Sequence, residues 1–269
     1  MRITAVTSGK GGVGKTNLSA NLGIALADLD RSVLLFDADI GLANLDLVLG
    51  CPSSIKLQHV VRGDTTLASA IQSGPGGVKF IAGGSGIESL FQMGDRILDR
   101  FLSEVQDLEL QFDDLILDTG SGIDDNVLTF LCAADETLLV VTPDPASMAD
   151  SYAIAKALWL RRPDANVRVV MNMVENEAEG RLVFARINAV AQEFLGRALR
   201  YAGCVRHDRE AVFHIRARRP FLLADPTLAA SKDVRNIARL LAGHPVESTQ
   251  RSLADRLRDI LALRLLRAA

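Results

Sequence analysis

The chain has 269 residues, 48% of them hydrophobic, and a formal net charge of −3; it is long enough to bury a large core and too nearly neutral for a strongly basic nucleic-acid-binding protein. Its cysteines, Cys51, Cys132 and Cys204, lie far apart without a CxxC pair, which predicts free thiols in a reducing compartment. The N-terminus lacks the apolar stretch of a signal peptide, and no apolar run approaches the roughly 20 residues that span a bilayer, so we expect a cytoplasmic protein.

Short apolar runs alternate with longer helical patterns from one end of the chain to the other. The predicted strands are Ile3–Thr7, Ser32–Asp37, Val78–Ala82, Asp114–Asp118, Glu136–Thr142, Asn166–Asn172 and Tyr201–Val205. The predicted helices are Lys15–Asp28, Ile87–Val105, Asp124–Ala134, Pro145–Arg161, Glu179–Leu195 and Ser231–Leu240. Most strands are apolar on both faces, as in a buried parallel sheet. The alternation predicts an α/β fold with a doubly wound, mostly parallel sheet and helices on both faces, as one domain over residues 1–243 with 244–269 as a helical tail.

A glycine-rich segment joins the first predicted strand to the first predicted helix. It reads Gly9-Lys10-Gly11-Gly12-Val13-Gly14-Lys15-Thr16, which fits the GxxxxGK[ST] pattern in the strand–loop–helix context that this motif requires. Glycines let successive backbone N–H groups wrap around phosphate, and the helix N-terminus adds its positive dipole end. Lys15 is expected to reach the β- and γ-phosphates, and the Thr16 hydroxyl to bind Mg²⁺. The segment therefore predicts a P-loop NTPase fold.

Acidic residues stand where two of the apolar strands end. Asp37 and Asp39 close the second predicted strand, and Asp118 closes the fourth. Because an unpaired charge there is costly, we interpret Asp118 as an acid that holds Mg²⁺ through water and Asp37 as a support of the same metal shell. Asp39 is interpreted as the residue that orients the attacking water or accepts its proton. A helix cap is the alternative role for Asp39.

The base site is less sharply marked than the phosphate site. Asn172 ends the sixth predicted strand, and its amide can both donate to and accept from an adenine edge. No Asn-Lys-x-Asp sequence occurs, which argues against guanine specificity. We therefore expect ATP to be the nucleotide.

Lys10 directly follows the first glycine of the loop, where an ordinary P-loop needs no lysine. The pattern Lys-Gly-Gly-Val-Gly-Lys-Thr resembles the deviant Walker A ATPases of the MinD/ParA type. In that family the extra lysine crosses to the phosphates of the partner subunit, so the resemblance implies a homodimer closed around two ATP molecules. A cation supplied in trans stabilises the transferring phosphoryl group only after association. The resemblance also implies nucleotide contacts from Asn17 and Asp208, and catalytic roles for Lys10, Lys15 and Asp39.

Several segments narrow the resemblance to one branch. Asp37–Asp46 is similar to the flagellar number regulators of the FlhG/FleN type and, nearly as much, to the septum-site ATPase MinD. Four further segments are nearer the flagellar branch; they are Gly74–Val78, Asp118–Ile123, Pro145–Lys156 and Asn172–Val174. This implies control of flagellar number or placement, with an SRP-type GTPase (FlhF), a flagellar regulator or a C-ring protein as partner. Several members stimulate FlhF through an extension before the first strand; this sequence begins at its first strand, so we do not expect that activity from it. It also has Arg206 after Val205, where the family usually has proline.

Two further segments leave alternatives open. Residues 252–269 predict an amphipathic helix, which either contacts an anionic membrane surface as a peripheral anchor or packs on the domain. The stretch from Arg206 to Arg219 is locally basic but is interrupted by Asp208 and Glu210. It predicts a solvated or phosphate-proximal loop rather than a DNA site. A septum-placing ATPase and a DNA-binding partition ATPase remain the alternatives to the flagellar function.

Overall fold

A mostly parallel β-sheet forms the centre of the protein in the computed structural model. The structure describes residues 1–39, 43–84, 95–243 and 252–268, and for residues 95–97 and 263–268 it describes the backbone alone. The strands of the described part are β1 Arg2–Ser8, β2 Val33–Ala38, β3 Gln72–Ser73, β4 Lys79–Ile81, β5 Asp114–Ser121, β6 Glu136–Val141, β7 Val167–Val174 and β8 Arg200–Arg206. Their spatial order is β3-β4-β2-β5-β1-β6-β7-β8. Only the β3–β4 pair is antiparallel among these strands.

Helices cover both faces of this sheet. In the described residues they are α1 Lys15–Ala27, α2 Leu45–Val48, α3 Leu57–Arg62, α4 Leu67–Ala70, α5 Asp95–Glu109, α6 Asp125–Ala133, α7 Pro145–Arg161, α8 Glu177–Leu195, α9 Arg209–Arg216, α10 Phe221–Ala224, α11 Ala229–Gly243 and α12 Leu253–Ala268. One apolar core contains residues of α1 and α11, and a second contains residues of α5 to α8 and α12. The predicted doubly wound α/β architecture is confirmed.

The predicted helices and strands match the observed ones closely where the periodicity of the apolar residues is clear. All seven predicted strands are present with ends shifted by one or two residues, except that β5 runs on to Ser121. The two-residue strand β3 and the short helices α2, α3, α4, α9 and α10 were not predicted, because such short elements carry too little periodicity to read. The predicted helix Ile87–Val105 begins within residues 85–94, which lie outside the described part.

Strand register brings the sequence motifs to one edge of the sheet. β1 lies between β5 and β6, with Val6 opposite Asp118, and Asp37 of β2 is also opposite Asp118. The carboxyl ends of these parallel strands therefore share one side, where ligands bind in sheets of this kind.

The C-terminal helix α12 packs on the domain over the residues whose side chains are described. Leu253, Ala254 and Leu257 are buried in the same core as α5 and α6. Arg256 forms an ion pair with the buried Asp135 at 2.8 Å. Packing on the domain is thus the arrangement seen for this stretch, and the predicted domain boundary at residue 243 stays a prediction.

None of the helices in the described part of the chain is both long enough and apolar enough to cross a membrane.

Candidate functional site

The phosphate loop connects β1 to α1 in a glycine-dependent shape. Gly14 has φ of 87°, and a Cβ there would lie 2.6 Å from Nδ2 of Asn172. A Cβ on Gly9 would lie 2.4 Å from backbone and side-chain carbons of Asp150 in α7. Ser8 Oγ donates to the Lys10 carbonyl at 2.8 Å. Side chains at either glycine would push the loop away from its supports, so the loop conformation requires both.

The two lysines of the loop lie in different surroundings. Lys15 begins α1 and is only 9% exposed. The Lys10 side chain is 49% exposed, and its Nζ lies 3.3 Å from Asp144 Oδ1. Hydrogen bonds from the Thr142 hydroxyl and the Ser147 N–H, with a smaller contribution from Lys10, lower the pKa of Asp144 to about 2. Asp144 therefore stays ionised, and Lys10 lies at the rim of the loop.

Two of the three predicted carboxylates lie on neighbouring strands. Asp37 accepts hydrogen bonds from the backbone N–H groups of Asp39 and Leu45 at 3.1 and 3.0 Å. Burial raises the pKa of Asp37 to about 7, and the nearby Asp118 charge adds to the shift. Burial also raises the pKa of Asp118, while the Lys15 ammonium opposes that change. The structure thus brings Asp37, Asp118 and Lys15 close enough for their charges to interact.

Asp39 faces the same strands from the end of β2. A Cβ on Gly120 of β5 would lie 3.6 Å from Asp39 Oδ1, so the carboxylate sits beside the stretch that follows Asp118. Residues 40–42, which follow Asp39 in the Asp37–Asp46 segment, lie outside the described residues.

The donor set beside the loop fits Mg²⁺. Asp118 Oδ1 accepts from Ser19 Oγ at 2.8 Å, whereas the buried Asp118 Oδ2 has no hydrogen-bond partner among the described residues. Thr16 supplies a hydroxyl on the first turn of α1. Carboxylate and hydroxyl oxygens suit this hard cation, which keeps several waters and is completed by substrate phosphates. The described residues hold no cluster of three or more His, Cys, Asp or Glu side chains able to bind a metal on their own.

The predicted base-site residues already have backbone partners. Asn172 lies on β7 and its Nδ2 donates to the Val13 carbonyl at 2.7 Å. Asp208 caps α9, accepting from the N–H groups of Glu210 and Ala211. Asn172 therefore contacts the phosphate loop, whereas Asp208 follows the neighbouring strand β8 and its hydrogen bonds in the described part of the chain go to its own helix.

Sequence reasoning missed two residues of the site. Ser19 donates to Asp118, and Asp144 pairs with Lys10. Asp144 follows the apolar strand β6, so the rule that singled out Asp37 and Asp118 could have found it. Ser19 carried no signal beyond its position one turn after Lys15.

Comparison with known proteins finds relatives along most of the chain. Residues 4–212 match the CobQ/CobB/MinD/ParA nucleotide binding domain. The chain is 38% identical over 251 residues to the antiactivator FleN of Pseudomonas aeruginosa, covering 93% of this chain and 90% of that protein. It is 35% identical to the flagellum site-determining protein YlxH of Helicobacter pylori, covering 89% and 81%. It is 32% identical to the septum site-determining protein MinD of Bacillus subtilis, covering 90% and 89%.

Solved structures share the fold. The MinC:MinD cell division complex of Aquifex aeolicus matches with a TM-score of 0.74 and 25% identity, covering 94% of this chain and 100% of the matched chain. MinD of Pyrococcus horikoshii, complexed with Mg-ADP, matches with a TM-score of 0.71 and 25% identity, covering 90% and 97%.

Fold, loop and strand-end acids together define a P-loop ATPase that uses ATP with Mg²⁺. The chain belongs to the CobQ/CobB/MinD/ParA family, within its MinD-type ATPases.

Proposed function

We propose that the chain is an ATP-driven dimerisation switch that controls the number or placement of flagella. The observation that carries the switch is the position of Lys10. Its ammonium lies at the exposed rim of the loop, paired only with the surface acid Asp144 among the described residues. A lysine in this position is available to the nucleotide of a second subunit.

The site residues divide into binding and chemical roles in this proposal. Backbone N–H groups from Gly9 to Gly14 surround the phosphates, with Asn17 at the edge of the nucleotide. Lys15 neutralises the β- and γ-phosphates, and Lys10 from the partner stabilises the charge that develops on the transferring group.

The metal and the attacking water have their own residues. Thr16 would hold Mg²⁺ directly, with Asp118 and Asp37 as its outer acids, and the metal would neutralise phosphate charge. Asp39 orients the attacking water. Hydrolysis to ADP removes the γ-phosphate that holds the dimer closed, so the subunits separate.

The flagellar assignment is supported by two relatives whose names describe flagellar roles, the antiactivator FleN and the site-determining protein YlxH. We expect the partner to be a flagellar transcription regulator, the SRP-type GTPase FlhF or a C-ring protein. Septum placement is the second candidate, because MinD of Bacillus subtilis is 32% identical over most of both chains.

Peripheral membrane contact through the first turns of α12 would require a rearrangement. Leu253 and Leu257 are buried in the core that also contains α5 and α6, so they would have to leave that core to reach lipid. A dimer would present two such helices, and binding both together is much stronger than binding one.

DNA is not the expected partner. In the basic stretch from Arg206 to Arg219, the Arg206 guanidinium is held within the protein, because it donates to both carboxylate oxygens of Asp233 at 2.8 Å. Asp208 and Glu210 interrupt the same stretch, so its positive charge is diluted.

A deletion strain tests the cellular role. Loss of the gene should change the number or position of flagella, and a Lys15→Ala copy should fail to restore them. Minicells with unchanged flagella would instead assign the chain to septum placement.

A further inference from the structure

A strained backbone position lies beside the phosphate loop. Met173 has φ of 58°, in the left-handed region that a methionine rarely adopts. It is the extra residue of a β-bulge, because Asn172 pairs with Val205 and Val174 pairs with Arg206. Bulges redirect side chains and are frequent next to active sites. Strain of this kind persists where the surrounding structure holds it in place, and it points to a functional reason.

The bulge places the Asn172 amide against the loop. Its Nδ2 donates to the Val13 carbonyl at 2.7 Å, and the residue is 9% exposed. A Cβ on Gly14 would lie 2.6 Å from that nitrogen and 3.5 Å from Met173 Cε. Asn172 therefore contacts the loop two residues before Lys15, and its amide nitrogen leaves no room for a side chain at position 14.

The hydrogen bond fixes the direction of one peptide unit. Because the peptide is planar and trans, the Val13 C=O and the Gly14 N–H point in opposite directions. An amide that holds the Val13 carbonyl on the β7 side therefore turns the Gly14 N–H away from β7. Backbone N–H groups of this loop are the donors that surround phosphate.

We propose that Asn172 is a positioning residue for the phosphate loop, which aims the Gly14 N–H at bound phosphate, and that the left-handed conformation of Met173 keeps the Asn172 amide in place. The ligand that it serves is the pyrophosphate group of any nucleotide. This role of Asn172 differs from the contact with adenine that was predicted from the sequence. The role depends on the proposed ATP site and not on the flagellar function.

Pyrophosphate separates the two roles because it has no base. Titration calorimetry with Mg-ATP and with Mg-pyrophosphate should show both ligands weakened by a similar factor, roughly tenfold, in Asn172→Ala. Asn188→Ala is the matched control, since Asn188 also accepts a backbone hydrogen bond, from Leu199 N at 2.8 Å, but in α8. The control should bind both ligands like the wild type.

Unchanged pyrophosphate affinity in Asn172→Ala, with ATP affinity lost, would overturn the proposal in favour of base reading. Failure of the wild type itself to bind ATP would instead reject the ATPase assignment.

Two substitutions at Met173 test the backbone argument. Glycine adopts a positive φ without steric cost, whereas a β-branched residue does not. Met173→Gly should therefore keep pyrophosphate affinity, and Met173→Val should lose it as Asn172→Ala does. Equal affinities in both variants, or loss in Met173→Gly, would overturn the role of the bulge; a cooperative thermal transition in each variant confirms that it is folded.

Discussion

The two lysines of the phosphate loop lie in surroundings that suit two different roles. Lys15 is buried beside Asp118, where charges interact more strongly than in water. Among the described residues Lys10 pairs with the exposed Asp144, a kind of contact worth little in free energy. In the dimer that we propose, little would therefore hold Lys10 back from the second subunit, while Lys15 serves its own.

The proposed chemical role of Asp39 predicts a variant that binds but does not turn over. Asp39→Ala should bind ATP with near wild-type affinity and lower kcat by roughly 10²- to 10⁴-fold, because the attacking water loses its partner. Calorimetry and phosphate release measure the two quantities, and Lys15→Ala, which should lose ATP binding, is the comparison. Normal hydrolysis by Asp39→Ala would contradict the assignment.

At the scale of elements, the start of α7 should respond to acid. Asp144 accepts the Ser147 N–H and has its pKa lowered from 3.8 to about 2. A carboxylate with a lowered folded pKa stabilises the protein above the unfolded value, and this contribution is lost as the pH falls from about 4 towards 2.

Thermal midpoints measured across that range should therefore fall more steeply for the wild type than for Asp144→Asn, whose amide oxygen keeps a capping acceptor without the charge. Parallel curves for the two proteins would show that the Asp144 charge does not contribute.

Helix α12 gives a second element-scale prediction. Leu257 is 7% exposed and lines an apolar cavity with Phe101 and Phe130. Leu257→Ala should lower the free energy of unfolding by about 2–5 kcal/mol, as large-to-small core substitutions do. Leu110→Ala is the control, because Leu110 is 89% exposed. Denaturant unfolding measures both, and equal stabilities would mean that α12 does not pack on the domain in solution.

At the scale of the whole molecule, the sequence predicted the sheet and the phosphate loop because both depend on local signals. Apolar runs define β1, β5 and β6, and the loop motif follows its strand directly. Convergence of Asp37 and Asp118 also followed from the parallel arrangement, since acids at the ends of neighbouring strands share one edge.

Contacts between distant segments could not be predicted from such local sequence signals. The hydrogen bond from Asn172 to Val13 depends on the bulge at Met173, which shifts the register of β7 by one residue. The ion pair between Arg256 and Asp135 joins residues 121 positions apart, and the amphipathic pattern of α12 alone suits a membrane surface equally well. Such contacts are set by tertiary packing.

Nucleotide-dependent association through Lys10 is the central property proposed for this protein. Molar mass in solution should be measured with ADP and with a non-hydrolysable ATP analogue, for the wild type and Lys10→Ala. We predict a wild-type dimer with the ATP analogue only, and a Lys10→Ala protein that binds the analogue but stays a monomer. A mass that does not change with nucleotide, or a Lys10→Ala dimer equal to the wild type, would contradict the proposed switch.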